Sequence, residues 1–115
     1  EALRWRHLLA AGGKVLINSM DMTPVTVSSG QQAAVTDLDE RLRAEFPNAI
    51  YLQAMAMAID VGNSRTMNMV IAGAISTLTP FDEETWLQAM RERISARLID
   101  INIKAFDAGR NAVQR

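Results

Sequence analysis

Cysteine is absent from these 115 residues and histidine occurs once. Without thiols the chain forms no disulfide, no thiolate zinc site and no cysteine-ligated iron–sulfur cluster. That absence leaves the redox compartment open, with a reducing cytoplasm as the simpler expectation. A lone His7 beside Trp5 and Arg6 makes no zinc site and reads as an exposed helical residue. Neither sign of charge dominates: twelve basic residues against thirteen acidic give a net charge of -1, so no polybasic surface points to nucleic acid. Long apolar runs are also missing. The best, Met67 to Ile75, is bounded by polar residues and falls short of the roughly 20 needed to cross a bilayer.

What is present suits one α/β domain. Hydrophobic residues make up 49% of the chain, enough for a core of its own. The pattern of Leu3, Trp5, Leu8 and Leu9 predicts a helix over Glu1 to Ala11, stopped by Gly12-Gly13. Glu1 stands inside that pattern with no signal peptide or initiator methionine before it, which reads as a cut within a larger protein. Lys14 to Asn18 is a short apolar run, as expected of a strand buried on both faces. Pro24 to Ser28 alternates like an edge strand ended by Gly30, and Ser28 to Gln32 is a polar loop. Asp37 to Phe46 predicts a solvent-facing helix with Leu38, Leu42 and Phe46 on one stripe. Ala49 to Leu52 follows as a strand, and Ala54 to Val61 as a short helix ended by Gly62.

The stretch from Asn63 to Leu78 is the most informative. Asn63 caps a helix whose Met67, Val70, Ile71, Ala74, Ile75 and Leu78 share an apolar face. Ala72, Gly73 and Ser76 on the other side are small enough for another backbone to approach, from a neighbouring helix or a subunit. Asn68 is out of character there, either a ligand or interface contact or a buried structural amide. Arg65 either meets a phosphate at the helix start or is solvated. Asp82 caps the next helix, with Phe81 and Trp86 placed for a hydrophobic staple. A last amphipathic helix runs from Leu98 to about Val113, with Gly109 as its weak point.

No catalytic centre emerges from these residues. Ligands in open α/β sheets sit beyond the carboxyl ends of strands, so Asn18 and Asp21 are candidates to face a crevice, with loop capping the commoner role for such residues. Ser28-Ser29 lacks a nucleophile elbow. Gly12-Gly13 precedes a strand, whereas a phosphate loop follows one. The acidic pairs Asp39-Glu40 and Glu83-Glu84 sit near helix starts, where the macrodipole accounts for them. The methionines at helical positions read as core filler.

Several segments in order resemble a known family: Glu1-Ala2-Leu3-Arg4, Gly12 to Ser19, Pro24-Val25-Thr26-Val27, Gly62 to Arg65, Asn68 to Ala74 and Asn102 to Gly109. Together they are similar to the gamma-type domain of the 2-oxoacid:ferredoxin oxidoreductases, and the Pro24 to Val27 segment brings the resemblance nearest to the beta subunits of the indolepyruvate branch. It implies an α/β, three-layer open sheet of the pyruvate-ferredoxin oxidoreductase domain III type. The glycine-rich strand-turn-helix unit that opens the family domain has no counterpart here, so residues 1–115 are expected to be its carboxyl-terminal part.

By resemblance, the holoenzyme decarboxylates an aryl pyruvate with thiamine diphosphate, iron–sulfur clusters and coenzyme A, and passes electrons to ferredoxin. The thiamine and cluster sites then lie on a large (alpha) partner subunit. This domain would serve assembly and shape the approach of coenzyme A. No catalytic residue is carried over; the cofactor-binding candidates are Asn18, Asn63, Arg65 and Asn68. Two other readings stand beside it. One is a nucleotide or coenzyme A binding module built on Arg65 and the helix start at Asn63. The other is a homo-oligomerisation domain joined through Ala72, Gly73 and Ser76.

Overall fold

The computed structural model describes residues 1–19 and 37–114. The edge strand expected over Pro24 to Ser28, the loop to Gln32 and Asp21 lie outside them. Two three-residue strands, β1 (Leu16–Asn18) and β2 (Ile50–Leu52), pair in parallel with Leu16 opposite Ile50 and Asn18 opposite Leu52. The ladder extends by one bond at each end, Ile50 N–H to the Val15 carbonyl and Ser19 N–H to that of Leu52. Parallel strands require a crossover, and helix α1 (Leu38–Glu45) lies on it. Four helices follow: α2 (Ala54–Val61), α3 (Met67–Ser76), α4 (Glu83–Arg93) and α5 (Ile99–Gln114). The architecture is α/β, as expected.

Local chemistry explains most boundaries. Gly62 takes φ 119°, open to glycine at little cost, and its N–H closes α2 on the carbonyls of Ala58 and Ile59. Asn63, in extended conformation, accepts from Arg65 N–H at 2.9 Å and starts a 3₁₀ turn over Ser64–Thr66, so α3 proper begins only at Met67. Asp82 accepts from the Thr85 hydroxyl and, at 2.8 Å, from Thr85 N–H to cap α4, and these bonds hold its carboxyl below the usual range. The staple does not form. Trp86 lies 6.0 Å from the Phe106 ring and donates to Thr79 Oγ1, while Phe81 is 59% exposed.

The N-terminal helix is absent. Residues 1–11 make turns and a 3₁₀ segment over Arg6–Leu8 that buries nothing, with Leu8 70% exposed. A helix of this length is marginal in water unless a packed face supports it, and its leucines meet no core. Along α1 the apolar stripe is buried only at its end, where Phe46 is 6% exposed. In β1 only Ile17 is buried; Leu16 and Asn18 are half-buried.

The core is built from alanine. Ala54, Ala58, Ala74 and Ala105 are fully buried with Val70 and Leu52, joining α2, α3 and α5 to the end of β2. Two glycines set the α3–α5 crossing. A Cβ on Gly73 would lie 1.9 Å from the Phe106 carbonyl oxygen, and one on Gly109 would lie 1.9 Å from that of Val70. Backbone therefore meets backbone at two reciprocal points. Gly109 is a contact that the crossing requires, where the sequence reading had a weak point.

The same contact corrects the reading of α3. Its buried stripe is Val70, Gly73, Ala74 and Ser76, whereas Ile75 is 40% exposed. The small side, assigned above to a neighbouring helix or subunit, is filled by the chain's own α5.

Candidate functional site

The carboxyl ends of β1 and β2 meet the starts of α2 and α3, the region where an open α/β sheet presents its ligand crevice. Asn18 stands at that junction. Its Oδ1 accepts from Ala54 N–H at 3.1 Å, and its Nδ2 lies 3.6 Å from Met67 Sδ. Gln53, the residue before α2, gives no side-chain cap. Asn18 reaches across from the strand and takes over that role. Both ends of its amide are spent on tying β1 to two helices.

Replacing Asn18 with Ala should orphan the N–H of fully buried Ala54 and cost about 1–3 kcal/mol. Asn18→Asp retains the acceptor at a helix start and should recover most of the loss. Urea unfolding of the two variants beside wild type measures both effects.

Asn63 is likewise spent. Its side chain caps the 3₁₀ turn, and its carbonyl accepts from Thr66 Oγ1 at 2.7 Å, holding the nearly buried Thr66. Arg65 and Asn68 are exposed, and among the described residues neither side chain hydrogen-bonds or forms an ion pair. Asn68 is thus not the buried structural amide weighed from the sequence. It sits one turn after Arg65, next to the Met67 that touches Asn18. The four candidates therefore come from one neighbourhood, two as structural ties and two facing solvent.

Concave surface lies elsewhere. One groove of about 450 Å³ runs between α2 and α5 past Met57, Asp60, Val61 and Ala108. Another, of about 480 Å³, is lined by Lys14, Leu16, Ile75, Leu78 and Thr79. Neither is lined by the four candidates. Among the described residues no three His, Asp or Glu side chains are grouped to hold a metal ion, and His7 is exposed.

A polar cluster that sequence reading missed joins α3, α4 and α5. Arg110 Nη1 donates to Ser76 Oγ at 2.7 Å, and its Nε lies 3.8 Å from Glu83 Oε1. The Ser76 hydroxyl in turn donates to the Gly73 carbonyl. The partners are 34 and 27 residues apart, so no local spacing could announce them.

Comparison with known proteins decides the family. The sequence matches the family model described as pyruvate ferredoxin/flavodoxin oxidoreductase over residues 1–112. The chain belongs to that family. Pyruvate ferredoxin/flavodoxin oxidoreductase relatives include the indolepyruvate oxidoreductase subunit IorB of Pyrococcus horikoshii, 35% identical over 99% of this chain and 59% of its own length. The proteins of the same name from Thermococcus kodakarensis and Archaeoglobus fulgidus are 33% and 31% identical, over 99% and 96% of this chain and 59% and 57% of theirs. The chain thus spans rather more than half the length of these curated relatives. No solved structure matches. No helix among the described residues is long and apolar enough to cross a membrane.

Proposed function

We propose that residues 1–115 are part of the gamma-type domain of an indolepyruvate oxidoreductase's smaller subunit, and that they serve assembly with the larger one. The observation that carries this reading is the match of 99% of the chain to a relative named indolepyruvate oxidoreductase subunit IorB. The packing supports a structural role: Asn18 ties β1 to the start of α2, and Asn63 caps the turn that leads into α3.

In the holoenzyme so read, thiamine diphosphate and iron–sulfur clusters would supply decarboxylation and electron transfer to ferredoxin. The donors on this chain do not fit them. It has no cysteine for a cluster, and no acidic or histidine group gathered for a metal among the described residues. By the family resemblance, both belong to the larger subunit. Arg65 and Asn68 are the side chains left to face coenzyme A on its approach.

The test is to co-express the native smaller subunit with its larger partner. The two should co-purify, and indolepyruvate-dependent reduction of ferredoxin should require both. Full turnover by the larger subunit alone would sink the proposal.

A further inference from the structure

One sulfur atom joins three elements at the strand ends. Met67 opens α3, and its Sδ faces Asn18 Nδ2 at 3.6 Å, while Asn18 Oδ1 holds Ala54 N–H at the start of α2. Gln53 gives no cap there, so that N–H depends on Asn18. Among the described residues, Met67 is the one methionine whose sulfur takes a hydrogen bond. It is half-buried: its side chain packs against the alanine core, yet the residue keeps contact with solvent. Met90, by contrast, is buried.

We propose that Met67 is a reversible oxidation site, whose sulfoxide unties Asn18 and loosens the junction of β1, α2 and α3. The oxidant is hydrogen peroxide. Its O–O bond breaks as an S–O bond forms; the thioether gives up two electrons, and the second peroxide oxygen leaves as water with both protons. Methionine sulfoxide reductase reverses the step with two thiols, which release the oxygen as water and close to a disulfide.

The thioether has two lone pairs, and oxygen on either disturbs Asn18. An oxygen added toward Asn18 enters the 3.6 Å gap that the hydrogen bond already fills. Oxygen and amide nitrogen need about 2.7–3.2 Å between them, so Asn18 must retreat from Met67. Its Oδ1, set at 3.1 Å, is then drawn off Ala54 N–H. An oxygen added on the opposite side leaves a sulfur of positive polarity against the Asn18 N–H, and attraction turns to repulsion. Ala54 is fully buried, so its N–H has no water to replace the lost acceptor.

The test treats the native full-length protein with hydrogen peroxide, maps the added oxygen by mass spectrometry of its peptides, and follows Ala54 amide exchange by NMR. Met67 should take up one oxygen, and Ala54 exchange should quicken about tenfold, the equivalent of one ordinary hydrogen bond. Methionine sulfoxide reductase should restore the slow rate. Met67→Leu conserves volume and offers no sulfur, so Ala54 should stay protected through the same treatment. Met69→Leu removes a neighbouring half-buried methionine and should leave the wild-type response intact. An unoxidised Met67, an Ala54 rate that does not change on oxidation, or an equal response in Met67→Leu would overturn the proposal.

Discussion

Substituting Gly73 with Ala should destabilise the protein by about 3 kcal/mol, the upper end of what overpacking a close-fitted core usually costs. The direction is the diagnostic part. In an ordinary helix interior the same change gains about 1 kcal/mol, because alanine loses less backbone entropy than glycine. Here the new Cβ would stand 1.9 Å from the Phe106 carbonyl oxygen, 2.8 Å from its carbon and 3.0 Å from its Cα. None of these atoms belongs to a side chain that can swing away, so α3 and α5 must separate. Separation also strips contact from Val70, Ala74 and Ala105, which are fully buried there. Gly109→Ala meets the Val70 backbone in the same way and should cost a similar amount. Because either substitution opens the same crossing, the double variant should lose less than the two single losses combined. Urea midpoints of the four proteins give the cycle. A gain in stability for either single variant would contradict the geometry.

Phe106→Ala is expected to cost about 3–5 kcal/mol, the range for removing a buried aromatic ring. Phe106 is the largest fully buried side chain among the described residues, and it serves two contacts at once. Its backbone receives Gly73, while its ring supports Trp86 and lies beneath the Arg110 guanidinium, 6.0 Å from it. Losing the ring therefore leaves a cavity on one side and frees α4 on the other. Trp86 emission should shift to the red in native conditions, before global unfolding. Denaturant unfolding followed by fluorescence checks both effects, with Trp5, already 52% exposed, as a constant background. An unshifted emission would mean that α4 is held by contacts other than the ring.

Features governed by neighbouring residues were legible in the sequence. Gly62 stops α2, Asn63 and Asp82 cap the segments after them, and α5 begins within one residue of its expected start. Each depends on chemistry within about one helical turn. What failed depended on a distant partner. The first eleven residues have the periodicity of a helix, but periodicity without a surface to pack on does not sustain one. Gly73 and Gly109 each look like a flaw alone, and only their pairing across the fold shows their purpose. Asn18 was placed correctly at a strand end, yet its work is to cap a helix that starts 36 residues later. The family was legible because order and spacing of many modest segments survive where single motifs do not.

The glycine crossing also bears on how the protein is made. Gly73 cannot reach its seat on Phe106 until α5 has left the ribosome, and Gly109 lies 36 residues after it. At about 5–20 residues per second, that interval is roughly 2 to 7 seconds. Throughout it, the nascent α3 carries Met67, Val70, Ile71 and Ile75 with no helix to cover its small side. During that interval α3 offers a ribosome-associated chaperone an uncovered apolar segment.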